Sequence, residues 1–183
     1  TDGEHPCQTL ADLQTIEESK GSLGGARVAY IGDGNNVAIS LALGMASTGG
    51  HLTIASPGGY TLPETTEIDV APLNAKSGGS LKLVSDPVEA VSDADIVYTD
   101  VWTSMGQEEE TQIRLEAFKG YQVNPALLDK APSGVRFMHD LPAHPGEEIS
   151  DGLLTDPRSI AFDQAENRLH AQAGLLHFLF SGA

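Results

Sequence analysis

The sequence predicts an α/β fold built on a parallel sheet, and two observations carry that prediction. The first is a set of short apolar runs that stop abruptly at turn-forming residues: VAYI (28–31) at Gly32-Asp33-Gly34, HLTIA (51–55) at SPGGY, DIVYT (95–99) at DVWTSMG and VRFMH (135–139) at DLPAH. The second is the helical character of the stretches between them, so that strands and helices alternate along the chain. In such a sheet these loops leave the carboxyl edge side by side, where open α/β sheets bind ligands.

Each element has its own signal. Pro6 suits a first helical turn, and Leu10, Leu13 and Ile16 recur on one face before Gly21. The run 28–31 is a buried strand, after which Asn35 or Asn36 caps a helix of small and apolar residues over 37–46. A strand follows at 51–55. Over 61–80 the apolar spacing is poor and Pro72 intervenes, which predicts a short helix and a loop. Strands at 81–84, 95–99 and 136–139 enclose short helices at 87–91 and 124–130 and a longer one at 108–118. Glu108, Glu109 and Glu110 sit where a helix dipole favours negative charge, so they read as a start signal rather than a metal site. An edge strand is expected at 159–161. The last helix is expected to use Asp163 as its cap with Glu166 three places on. Its stripe of Leu169, Ala173, Leu176 and Phe180, widened by Leu175, Phe178 and Leu179, reads as a packing face. The sum is a Rossmann-like parallel sheet of about five strands with helices on both faces.

Composition excludes several functions. At 183 residues the chain can bury one large core, and a net charge of −16 argues against nucleic-acid or anionic-membrane partners. Scarce lysine fits a salt-rich cytoplasm and fits ordinary solubility equally well. Cys7 is the sole cysteine, so no internal disulfide forms and an intracellular, cytoplasmic setting is expected. No run reaches membrane-spanning length, and the opening TDGEHP is not a signal peptide.

Gly32-x-Gly34 invites a dinucleotide reading, but the fingerprint's third small residue is replaced by Val37. Its ribose-binding acid is replaced by Ser56-Pro57. Two asparagines at a helix N-terminus suit a small carboxylate or amide better. Asp100 directly follows a strand and could meet an ammonium group or cap a turn. Ser104 and Met105 precede the hinge residue Gly106. His139 ends a strand, where a lone histidine is usually structural, and Arg168 could hold an anion or a surface acid. His51, His144, His170 and His177 show no zinc spacing, and no metal or cofactor is expected. Residue by residue, this is a site for a small zwitterion.

The motifs resemble a family. HPCQ and LADL within 5–13, IGDGNNV (31–37), YTDVW and SMGQEEE within 98–110, YQVN (121–124), MH and LPAH within 138–144, and AENR (165–168) are similar, in order, to ornithine carbamoyltransferases. SMG is specific to the ornithine branch of the carbamoyltransferases. The resemblance covers the second half of such an enzyme and implies three parts: an interdomain helix segment (1–24), an ornithine-binding domain (25–162) and a C-terminal helix (163–183) that packs on a carbamoyl-phosphate domain. That other domain, with its Ser-Thr-Arg-Thr-Arg loop, is not in this sequence.

By the resemblance, Asn36 and the backbone around Met105 hold the α-carboxylate of L-ornithine, and Asp100 and Ser104 its α-amino group. His5 and Gln8 touch the carbamoyl group, Arg168 reaches carbamoyl phosphate, and the Leu141 backbone lies near the reacting amine. His139 joins this substrate-binding set, and Asp140 and Arg168 are the catalytic positions. The implied reaction makes citrulline for arginine biosynthesis. The alternative is a binding module for ornithine or another diamino acid without chemistry. Without the phosphate ligands the isolated chain is expected to be inactive and to self-associate through its exposed helices. One position departs from the pattern: the family's His-Cys-Leu-Pro has Asp140 for its cysteine. If close, Asp140 and Asp100 could share a proton and leave Asp140 neutral, but at a solvent-accessible edge both are expected to ionise. Asp140 would then hold the amine as ammonium and suppress turnover while sparing binding.

Overall fold

The computed structural model describes residues 1, 3–103, 106 and 108–181. Five strands, β1 (Arg27–Ile31), β2 (His51–Ala55), β3 (Ser80–Val84), β4 (Ile96–Thr99) and β5 (Arg136–His139), form one sheet in the order β3-β2-β1-β4-β5. Every pairing is parallel. The order reverses beside β1, so the loops after β1 and β4 diverge there and leave a crevice at the carboxyl edge.

Strand alternation makes two cores. Val28 and Tyr30 face one side with Leu52, Ile54, Ile96 and Tyr98, where α1 (Pro6–Lys20), α2 (Asn36–Thr48) and α3 (Glu64–Ser77) supply Ile16, Leu41, Met45 and Val70. Ala29 and Ile31 face the other side with Val97 and Phe137. There α4 (Pro87–Val91) and α6 (Pro125–Leu128) supply Ala90, Val91, Leu127 and Leu128. Strands covered on both faces carry apolar residues throughout, which is why their runs stand out in the sequence.

Several local expectations are corrected. The 61–80 region is one continuous helix, α3, with Pro72 inside it. Leu62, Thr66 and Val70 are buried at four-residue intervals and Leu73 packs beside them, and this contact outweighs the proline. Pro72 itself is exposed, and the Ile68 carbonyl that it cannot serve belongs to an exposed residue, where water can satisfy it. The stretch 159–161 is not a strand: Ser159 makes an isolated bridge to Phe137, and Ala161 already begins α7 (Ala161–Phe180). Ile160 occupies the cap position without a side-chain bond, so Asp163 lies in the first turn and forms no cap. The helix expected over 108–118 is a 3-10 turn, Glu108–Glu110, followed by α5 (Thr111–Ala117).

The apolar stripe of α7 is exposed as expected and Ile16 of the α1 stripe is buried, but both outer helices also bury polar residues. In α7 the buried residues are Ala161, Gln164 and Asn167, while Leu169, Leu176, Phe178, Leu179 and Phe180 are exposed. In α1 the buried face holds Gln8, Asp12, Thr15 and Ile16, and Leu10 is exposed. α1 and α7 pack together through polar side chains. Asn167 Nδ2 donates to Thr15 Oγ1 at 3.0 Å and to Glu18 Oε2 at 2.8 Å, and Gln14 Nε2 donates to Asn167 Oδ1 at 3.1 Å.

Pro72→Ala restores an N–H in an exposed turn of α3, so it is expected to stabilise the protein by about 1–3 kcal/mol. Urea unfolding checks this by a higher midpoint at an unchanged slope; a lower midpoint would mean that α3 needs its proline.

Candidate functional site

The carboxyl-edge loops are pinned to one another before any ligand arrives. Asn35, rather than Asn36, caps α2: its Oδ1 accepts from Val37 N at 3.0 Å and Ala38 N at 3.1 Å. Its Nδ2 donates to Asp100 Oδ2 at 2.8 Å, so one side chain sets both the helix start and the loop after β4. Gly34 N donates to Tyr60 O at 2.7 Å, and a Cβ there would lie 2.4 Å from Leu62 N. Gly34 is thus required for the first loop to press against the second. Phosphate approach is not needed to explain it. Arg114 on α5 ties down the far loop, donating to Asp33 Oδ2 at 2.6 Å and to Trp102 O at 3.0 Å, with its guanidinium 5.0 Å over the Tyr60 ring.

Beneath these loops lies a buried carboxylate, Asp12, which is wholly inaccessible. Its Oδ1 accepts from Gln8 Nε2 and Gln164 Nε2, each at 2.7 Å, and its Oδ2 from the Tyr98 hydroxyl at 3.2 Å. Gln164 Oε1 in turn accepts from His139 N at 2.9 Å, and Gln8 Oε1 from Arg168 Nη1. One carboxylate therefore connects α1, β4, β5 and α7. Burial without a direct ion pair pushes Asp12 up to about 7, against the pull of its three donors and of Arg168.

Asp100 and Asp140 meet at the edge above. Asp100 is 7 % exposed and the Asp140 side chain 8 %. Burial holds the Asp140 carboxyl well above the usual carboxylate range, and the adjoining Asp100 charge and the hydrogen bond between the two groups raise it further. The expectation that both ionise at a wet edge is corrected: the edge here is buried. Burial and the adjoining Asp100 charge both favour the uncharged form of Asp140.

The other sequence-predicted residues divide. His139, expected to touch substrate, is fully buried. Its Nδ1 accepts from Leu141 N at 2.9 Å and its Nε2 donates to Glu148 Oε1 at 3.1 Å, so the ring braces the turn in one tautomer. Leu141 has φ 58°, and its N–H is committed to that ring. His5 lies at the start of α1; burial and then Arg168 depress its imidazole pKa, while Asp100 raises it, so it is close enough to feel both. Arg168 donates to Gln8, and its Nε is buried with no acceptor. Asn36 opens α2 and donates to Thr1 O at 2.8 Å. Ser104 and Met105 lie outside the described residues.

Asp12, Gln164, Glu148 and the Asp33–Arg114 pair were missed as site-building residues. The pairs Gln8/Asp12 and Gln164/Arg168, polar residues spaced i,i+4, were the available signal. His144, Glu147 and Glu148 bring possible metal-ligand atoms within 4.8 Å of one another, but Glu148 Oε1 already serves His139 and the His144 N–H. A cavity of about 420 Å³ lined by Trp102, Lys119, Gln122 and Glu147 contains none of the predicted site residues.

The fold and the edge define an open α/β domain that presents a small polar ligand site at its switch point. The family model for aspartate/ornithine carbamoyltransferase, Asp/Orn binding domain, matches residues 24–179, and the chain belongs to that family. The ornithine carbamoyltransferase of Acidothermus cellulolyticus is 52% identical over 183 residues, all of this chain and 59% of that protein. The crystal structure of the Pyrococcus furiosus ornithine carbamoyltransferase superposes with TM-score 0.94 at 48% identity, over 100% of this chain and 58% of that one. The anabolic enzyme of Campylobacter jejuni gives TM-score 0.92 at 34% identity, over 100% and 60%. The chain thus spans under two-thirds of the length of these relatives. Among the described residues no helix is long and apolar enough to cross a membrane.

Because the Asp12 pKa is raised on folding, its contribution is greatest below pH 4 and is lost as pH rises through about 7. The span amounts to roughly 4 kcal/mol. Asp12→Asn keeps an oxygen for both glutamines and offers Tyr98 a donor, so the variant is expected to flatten stability between pH 4 and 7. Asp12→Ala leaves three buried donors unpaired and is expected to cost about 3 kcal/mol or more. Urea titrations of the three proteins across that range check both.

Proposed function

We propose that the chain is the ornithine-binding part of an ornithine carbamoyltransferase, acting on L-ornithine and carbamoyl phosphate. One observation carries the choice of ligand. Asp100 and Asp140 form a buried acidic pair that no lysine or arginine among the described residues ion-pairs, while Arg168 turns a buried, unpaired Nε toward no acceptor. A site with an uncompensated acid and an unfilled cation suits a ligand set of amine plus anion. It also disfavours aspartate, the family's other named substrate, whose second carboxylate would meet Asp100, Asp140 and the nearby Asp33.

In this reading Asn36 and the start of α2 take the α-carboxylate, with the backbone around Met105, and Asp100 and Ser104 take the α-amino group. His5, Gln8 and Arg168 take the carbamoyl group and its phosphate, and Leu141 lies beside the reacting amine. The neutral δ-amine attacks the carbamoyl carbon, the bond to phosphate breaks, and the amine's proton is lost to give citrulline and phosphate. The protein's share is positioning and charge stabilisation. His139 and Asp12 position the groups that touch substrate. Segments 1–24 and 163–183 are the parts that meet the carbamoyl-phosphate domain, the protein works in the cytoplasm, and nucleic acid and membranes are not partners.

Calorimetry separates the readings. The 183-residue chain is expected to bind L-ornithine at least tenfold more tightly than L-aspartate, to ignore NAD, and to make no citrulline alone. Equal affinity for aspartate would overturn the ligand assignment, and citrulline formation by the pure chain would overturn the division of labour.

The outer face of α7, with Leu169, Leu176, Phe178, Leu179 and Phe180 exposed, is expected to drive self-association of the isolated chain. Several hundred Å² of apolar surface at about 25 cal/mol/Å² suffices. Light scattering that returns only monomer mass would remove this proposal.

A further inference from the structure

The acidic pair has a consequence that rests on the functional reading above and goes beyond it. Asp100 and Asp140 directly follow Thr99 and His139, which are register partners on the adjacent strands β4 and β5, and both aspartates are more than nine-tenths buried. No lysine or arginine among the described residues ion-pairs with them: Arg114 is held by Asp33 at 2.6 Å and by Glu110 at 3.1 Å, and Arg168 donates to Gln8. The His139 Nδ1, 3.5 Å from Asp140 Oδ1, is already accepting the Leu141 N–H, so it brings no proton to the pair. Asp140 Oδ1 has no hydrogen-bond partner. Asp100 is different: its oxygens accept from Asn35 Nδ2 at 2.8 Å and from Val101 N at 2.6 Å, two donors that suit a carboxylate.

We infer that Asp140 and Asp100 share a single proton in the unliganded protein, with Asp140 as the acid and Asp100 as the carboxylate, and that a ligand ammonium displaces this proton on binding. The geometry sets the order of the roles. The residue with two N–H donors keeps the charge, and the residue with an orphaned oxygen keeps the proton.

The surroundings favour one proton rather than none. From α1, Asp12 faces the pair, and from the loop after β1, Asp33 does so with its Arg114 partner. Tyr30 on β1 and Tyr98 on β4 stand against these carboxylates, and their hydroxyl pKa values are driven up by burial first and by the acids second. His139 flanks Asp140 from β5, His5 feels Asp100, and Arg168 acts from α7 on His5 and Asp12. A second full negative charge at Asp140 would thus meet further acids and no ion-pairing cation among the described residues. An ammonium docked on the pair supplies the missing cation. It lowers the pair's proton affinity by about one to three pKa units, and the proton leaves to solvent. No covalent bond changes: one O–H ionises and an ammonium–carboxylate contact forms. The replacement of cysteine by Asp140 therefore makes a proton part of the ligand-binding equilibrium.

Infrared difference spectra of the unliganded protein test the shared proton directly. Wild type minus Asp140→Asn at pH 7 is expected to show the carbonyl band of a protonated carboxylic acid, titrating away with one midpoint. In Asp100→Asn that midpoint is expected to fall by at least one pH unit, because the adjoining charge is gone. No acid band at pH 7, or a midpoint that ignores Asp100→Asn, would overturn the pair. Calorimetry with L-ornithine in buffers of different ionisation enthalpy then reads the displacement. About 0.4–0.5 proton released per ligand is expected for wild type at the infrared midpoint, and none for Asp140→Asn. Binding without proton release by wild type would overturn the displacement. Absence of any ornithine heat alongside a normal acid band would count against the functional reading and leave the pair standing.

Discussion

One buried carboxylate holds the site-bearing elements in register. Asp12 takes donors from its own helix, from β4 and from α7, and Gln164 relays the connection to the backbone of His139. Remove it and Gln8, Tyr98 and Gln164 lose their common acceptor in a region without water. Such hubs are strong only when complete, because a half-satisfied polar cluster in a low-dielectric interior costs more than an apolar one. Here the completeness is what fixes Gln8, and through it Arg168, at the entrance to the crevice. Gln8 and Arg168 are thus set from below by a wholly buried group.

Above that hub the electrostatics are deliberately unbalanced in one direction. Asp33 has Arg114, but Asp100 and Asp140 have only each other. A surface with that imbalance would be screened by salt; a buried one is not, and it selects ligands by charge. The acidic surplus of the whole chain, −16, adds a weaker long-range field with the same preference for cationic ligands.

Much of the scaffold was legible because its signals are local. Apolar runs ending at Gly32, Ser56, Asp100 and Asp140 mark strand ends wherever they lie in space, and four of the five strands follow from them, with β3 read separately from 81–84. What failed were questions that only packing answers. Pro72 argued for a short helix and a loop, whereas Val70 and Leu73 pack into the core beside α2 and α3 runs unbroken. The stripe of α7 was legible both as a helix and as an exposed face, but not that the inward face is polar, with Gln164 and Asn167. Asp140 was identifiable as the odd residue in its motif, but its protonation depends on burial that no neighbour in sequence reports. Gly34 read as a turn residue, and the contact with Leu62 that demands glycine comes from another loop.

The partner of Asp12 that joins α7 to the hub, Gln164, follows it by 152 residues. During synthesis at about 5–20 residues per second, α1 waits roughly 8–30 s for that amide. Throughout the interval Asp12 is an acid without its full set of donors, and the β-sheet can form while the α1 face is still open. Completion of this hub is therefore set by the emergence of α7 rather than by the sheet that forms the domain's bulk.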